Sequence, residues 1–267
     1  METETKLKLE VGVSQGRSVL TECYFTSPLK IGTPHPEQDR LTVVLMMASA
    51  GILKGDSFDY EIVCGRDTKT RLTEQSYTKI FDTGETGAKR HQHIVVQDHA
   101  SLFYEPKAVI PFRGSCYDSN IRIELSAKSE FVYTDIFAAG RIGMGEQFAF
   151  MHYRNRVEVR VDGKIAWFDH CLLEPECMDL TGMLFFDGYT HQGTFYYYGE
   201  GEKQEKLLDL LRKKQEMMQE REQRPEFCFG VSNATKGICL RVLADTAQDI
   251  EELFEEIMHT YRLAGPI

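Results

Sequence analysis

Apolar residues recur at every second position along most of this chain, the periodicity of strands with one buried face. In residues 57–64, Phe58, Tyr60, Ile62 and Cys64 alternate with Ser57, Asp59, Glu61 and Val63, which predicts a half-exposed strand. Residues 42–48 are instead almost wholly apolar and bounded by Ser49 and Gly51, as in a strand buried on both faces. Gly51-Ile52-Leu53-Lys54-Gly55-Asp56 joins the two. Its glycines can supply positive φ, and Asp56 sets a carboxylate at the mouth of an apolar wall.

The same reading gives a hairpin from 6–13 and 17–25 around Ser14-Gln15-Gly16, then a loop with three prolines over 27–36. Further strands are expected at 69–73, 90–97, 101–104, 119–125, 130–138, 153–161 and 164–173, the last two joined by Asp162-Gly163. Helical periodicity is missing before about residue 200. The fold class is therefore mainly β, and the absence of a fixed repeat length leaves room for an irregular solenoid rather than a regular array.

The final quarter differs. Residues 201–224 are strongly helix-forming, carry Leu207, Leu211 and Met218 on one side, and are stopped by Pro225. Strands are expected at 226–231 and 237–244. Thr246-Ala247-Gln248-Asp249 then forms a capping box ahead of Ile250, Leu253, Phe254, Ile257, Met258 and Tyr261, one helical stripe. The opposite face carries Glu251, Glu252, Glu255 and Glu256. Such a stripe must be covered, either by the β body or by a helical partner. A single domain over 1–267 is expected, with a β body over 1–199 and a helix–strand–strand–helix portion over 200–267.

Composition narrows the function. With 42% hydrophobic and 27% charged residues among 267, a sizeable core is possible. The net charge of −10 argues against nucleic acid and anionic membrane as partners. No apolar run approaches the roughly 18 residues of a bilayer span, and METETKLKLE lacks a signal-peptide core, so a cytoplasmic protein is expected. Seven cysteines in no C-x-x-C pair read as reduced, mostly core thiols, with His170-Cys171 and Cys177 as a weaker metal alternative.

Motifs that invite catalysis lack their companions. Phe81-Asp82-Thr83-Gly84 matches the aspartic-protease signature, but it occurs once, and Phe186-Asp187-Gly188 lacks the hydroxyl residue. Asp187 and His191 could pair for acid–base work, yet no nucleophile accompanies them. A hydrolase built on Asp82 or on Asp187/His191 is the alternative, weakened because no nucleophile–base–oxyanion set can be assembled. His91 and His93 share a strand face without a third ligand. Three acids stand out within or beside apolar strands: Asp56, Asp135 and Glu174. They are either strand-end acids paired with arginine or oxygen ligands along a wet passage for a divalent cation.

Several segments then carry a family resemblance: Ser27-Pro28-Leu29-Lys30, residues 51–56, residues 72–81, Val109-Ile110-Pro111-Phe112, Ala139-Gly140-Arg141 with Gly145-Glu146 and Phe148, and MLFFDGYTH over 183–191. In this order they resemble the urease accessory proteins UreD, also called UreH, over nearly the whole chain. The resemblance implies a non-catalytic scaffold with an irregular β-helix and two helices. It implies a helical partner UreF, a GTPase UreG recruited through it, and apo-urease as the client whose nickel centre is assembled. Nickel would pass through an internal tunnel without a tightly bound cofactor. Asp56 carries over most directly as a nickel-transit residue, Asp135 and Glu174 more loosely, and Ile250, Phe254, Ile257 and Tyr261 are expected in the partner surface.

Overall fold

The computed structural model describes residues 3–199, 201–219 and 225–263. It begins with the predicted hairpin, β1 (Thr3–Ser14) and β2 (Arg17–Phe25), followed by short β3 (Leu29–Ile31) and β4 (His35–Glu37). From β5 (Arg40–Met47) onward the chain alternates between two sheets. β6 (Asp56–Cys64), β9 (Ala88–Val96), β12 (Cys116–Leu125) and β14 (His152–Val161) run parallel beside β1 in the first sheet. β5, β7 (Lys69–Glu74), β10 (Ser101–Glu105) and β13 (Glu130–Ala138) run parallel in the second. β8 (Thr78–Ile80) and β11 (Val109–Pro111) continue the second-sheet side of their coils. The result is a solenoid of about four turns.

Antiparallel strands close it. β15 (Lys164–Leu173) turns back on β14, and β16 (His191–Tyr198), β18 (Ile238–Ala244) and β17 (Phe227–Asn233) extend the second sheet. β16 was not expected from sequence. Its Phe195, Tyr196 and Tyr197 are all buried, so no polar alternation marks it.

Rows of side chains fill the space between the sheets because parallel pairing sets like positions side by side. Ile62, Ile94, Ile123, Val159 and Trp167 form one such row by register, all of them buried.

The helices α1 (Gly201–Gln219) and α2 (Ala247–Leu263) cover the outer face of the second sheet. Val132, Ile136, Phe195, Leu240 and Val242 pack there against Leu207, Leu211, Ile250, Leu253, Phe254 and Ile257. Thr246 caps α2, its Oγ1 accepting the Asp249 N–H at 3.2 Å. Gly193 lets α2 approach, since a Cβ there would lie 2.5 Å from Ile250 Cγ2. The stripe is thus covered by the chain's own β body. The expectation that Ile250, Phe254 and Ile257 present an apolar patch to a partner is corrected: they are 0%, 5% and 1% exposed. The Tyr261 side chain and residues 220–224 of the first predicted helix lie outside the described residues.

Candidate functional site

One internal row breaks the apolar rule. Across the first sheet, register aligns Phe58, Arg90, Ser119, Asn155 and Cys171. Asp135, Thr194 and Arg241 align in the second sheet. The two rows meet where Asn155 Nδ2 donates to Asp135 Oδ2 at 2.9 Å.

The second sheet is interrupted at this level. β13 pairs with β10 up to Tyr104↔Tyr133 and with β11 from Val109↔Phe137, so residues 105–108 leave Asp135 without a ladder partner on that side. Pro106 lies in the break, as fits a residue with no N–H to donate. A chamber of about 20 Å³ opens there, lined by Arg90, Gln92, Tyr104, Pro106, Tyr117, Ser119, Tyr133, Asp135, Tyr153 and Asn155. That is room for about one water or one ion.

The electrostatics are those of a confined polar space. Burial, then Asp169, pushes the Asp135 carboxyl up to about 6, opposed by the Asn155 hydrogen bond and Arg241. Asp135 keeps some accessible surface although enclosed by protein, as expected of a side chain facing an internal cavity. Burial pushes Cys171 up to about 12 and Cys239 up to about 11, so both stay protonated thiols at neutral pH. Arg90 Nε, Gln92 Nε2 and Asn155 Oδ1 are buried with no hydrogen-bond partner among the described residues. Unsatisfied groups aimed at one chamber suit a polar occupant.

Arg90 also lines a second, outer cavity of about 400 Å³, with Leu45, Met47, Ile52, Tyr60, Glu74, Tyr77 and Lys79. Its guanidinium lies 3.5 Å from Glu74, the two side chains being 6% and 10% exposed. Burial raises the Glu74 carboxyl, opposed by Arg90, the Thr78 hydroxyl and the Lys107 N–H. At the other end of the polar rows, Asp169 of β15 forms an ion pair with Arg241 of β18, tying the two sheets together.

The sequence-expected acids are not brought together. Asp135 faces the chamber. Asp56 closes its own turn instead: its Oδ2 accepts the Leu53 N–H at 2.8 Å, and Gly55 holds φ +79° beside it. Glu174 sits with His152, whose Nδ1 is 3.1 Å away, while His152 Nε2 lies 3.2 Å from Asp118. Asp118 and His152 alternate with inward Tyr117 and Tyr153, so this trio is on the outer face of the first sheet. The expectation that Asp56, Asp135 and Glu174 line one passage is therefore corrected: of the three, Asp135 alone lines the chamber. Among the described residues no three His, Cys, Asp or Glu groups converge on a metal position.

Residues that sequence reasoning missed are Glu74, Arg90, Gln92 and Asn155. A signal existed for two of them: Arg90 and Gln92 share parity with Ile94 and Val96, so the alternation already turned them inward. His91 and His93 occupy the exposed face, where His93 meets Glu124 at 3.4 Å.

The hydrolase alternative finds no support. Asp82 Oδ1 accepts the Gly84 N–H at 3.0 Å, and Thr83 Oγ1 accepts the Cys116 N–H at 2.7 Å, so this motif braces a turn. His191 Nδ1 lies 2.8 Å from the Thr190 hydroxyl, and Asp187 occupies a positive-φ turn.

A family model described as UreD urease accessory protein matches residues 3–265. The urease accessory protein UreH of Helicobacter acinonychis is 35% identical over 191 residues, 71% of this chain and 72% of that protein. UreD of Acetivibrio thermocellus is 30% identical over 257 residues, 95% of each chain. UreD of Flavobacterium johnsoniae is 27% identical over 263 residues, 97% of this chain and 92% of that protein. No described helix is long and apolar enough to cross a membrane. With a match that spans both sheets and both helices, the chain belongs to the UreD family of urease accessory proteins.

Proposed function

We propose that this urease accessory protein acts in the cytoplasm as a non-catalytic scaffold that passes nickel through its interior to apo-urease. UreF-like and UreG-like proteins are its partners in that assembly. The observation that supports the reading is Asp135, a carboxylate with its pKa raised to about 6, placed in a chamber inside the solenoid. At pH 7 it is largely ionised and can meet a divalent cation. A single carboxylate with amide and phenol neighbours, and no convergent ligand set among the described residues, holds such an ion briefly. Nickel is then cargo, not a resident cofactor. Asp56 and Glu174 lie at a turn and on an outer face, where each can still act as a waypoint outside the chamber.

The test is activation of apo-urease by purified components with Asp135→Ala in place of the wild type. At least a tenfold fall in nickel incorporated, with the accessory complex still assembled on a sizing column, is expected. Unchanged incorporation would remove the chamber from the route.

A further inference from the structure

Arg90 lines both the 400 Å³ outer cavity and the 20 Å³ chamber, the one residue common to the two linings. It is therefore the wall the two share, and a route from one to the other would have its neck at this side chain. A guanidinium is never neutral in a protein, and like charges repel strongly where water is scarce. A bare dication moving from cavity to chamber must pass this fixed charge. Glu74 balances this single charge within the pair, but it lines the outer cavity alone, so the cationic member of the pair is the one turned to the chamber.

Several features make Arg90 movable. Its ion pair with Glu74 is a single contact at 3.5 Å, not the short bidentate fork of a tight arginine–carboxylate pair. Its Nε has no partner among the described residues, and the Phe58 and Tyr60 rings that attract it lie 5.7 and 5.6 Å from the guanidinium carbon, near the outer limit of a cation–π contact. Glu74 does not depend on it alone, because the Thr78 hydroxyl donates at 3.2 Å and the Lys107 N–H also reaches the carboxylate. The outer cavity gives the side chain somewhere to go.

We infer that Arg90 is the gate of the passage: a displaceable cation that holds the neck closed to free divalent ions until one is captured by Glu74. The captured dication takes the carboxylate and repels the guanidinium, which leaves the pair and opens the neck. This rests on the passage reading above.

Trp167 gives a direct probe, as the sole tryptophan of the chain. It is 8% exposed, stacks on Tyr196 at 4.5 Å and touches chamber-lining Tyr133 at 6.4 Å between ring centroids. Aqueous Ni²⁺ is a paramagnetic quencher and Mg²⁺ is not, so stopped-flow fluorescence of the purified full chain reads ion arrival at the chamber. Arg90→Gln is expected to quench at least about tenfold faster than wild type, and Arg90→Lys, which keeps the charge, to stay within about threefold of it. Asp135→Asn should lower the quenching amplitude without changing the Arg90 effect on rate. Should Arg90→Gln fail to fold with Glu74 left unpaired, Glu74→Gln/Arg90→Gln removes both charges together and is also expected to be fast. Equal rates for wild type and Arg90→Gln, with quenching present, overturn the gate and leave the passage standing. A rate that answers to Arg241→Gln but not to Arg90→Gln moves the neck to the other end and overturns it too. No quenching in any variant, or an amplitude indifferent to Asp135, sinks the passage and the gate with it.

Discussion

Asn155 of β14 donates through Nδ2 to Asp135 of β13 at 2.9 Å, joining the two sheets of the solenoid through a carboxylate held above its ordinary range. This bond marks where the interior changes from a packed apolar row to a polar one. It also sets a pH signature. Asp135 has a folded pKa of about 6 against 3.8 for an ordinary aspartate, so the folded chain binds the proton more tightly than the unfolded one. The resulting stability is fully present below about pH 4 and is lost as pH rises through about 6.

Asp135→Asn removes that titration while keeping an oxygen to accept from Asn155. The variant is expected to be more stable than wild type by about 3 kcal/mol at pH 7, with the gap closing below about pH 4. Urea denaturation across that range measures it. A gap independent of pH would mean Asp135 is solvated like a surface acid.

Asp56 is expected to be modest in stability. Asp56→Ala leaves the Leu53 N–H without its acceptor and should cost about 1 kcal/mol, while Asp56→Asn retains an acceptor oxygen and most of that stability. If Asp56→Asn folds normally yet lowers urease activation, the charge has a role beyond the turn. Equal activation by both variants and wild type would leave Asp56 a structural residue.

The parts legible in the sequence were those where a strict period survives. The hairpin, β6, β9, β12 and β14 follow alternation, and the Thr246 cap and the Ile250 stripe define α2. What escaped was set by long-range pairing. β16 is buried on both faces and so shows no alternation, and the break at 105–108 matters only because β13 continues past it. Arg90 drew no notice beside His91 and His93, although its parity with Ile94 already placed it inside. Glu174 read as an acid at the end of an apolar strand, but its partner His152 lies 22 residues earlier in the chain.

Gly193 offers a test of how closely α2 is seated. A methyl added there would fall 2.5 Å from Ile250 Cγ2 and 2.6 Å from Val242 Cγ1, both of them buried. Gly193→Ala should cost about 1–3 kcal/mol by overpacking. The loss should shrink when Ile250→Ala is made in the same chain, because the second change vacates the space. A double-mutant cycle checks this, and additive losses would show that the helix yields without strain.

Phe254 decides whether α2 serves the fold or a partner. Its ring is 5% exposed and lies 5.8 Å from Phe195, within the apolar layer between helix and sheet. Phe254→Asp places a carboxylate in that layer and should cost about 3–5 kcal/mol by lost packing and desolvation. The expected outcome is a chain with lowered denaturation midpoint and exposed outer sheet, so any loss of partner binding would follow from unfolding. The acidic face of the helix separates the two roles. Glu252 and Glu255 are exposed, and neither is needed to cover the sheet. Glu252→Lys/Glu255→Lys should leave urea stability within about 0.5 kcal/mol of wild type. Weaker capture of the UreF-like partner by that folded double variant would place the outer face of α2 in the interface, and unchanged capture would exclude it.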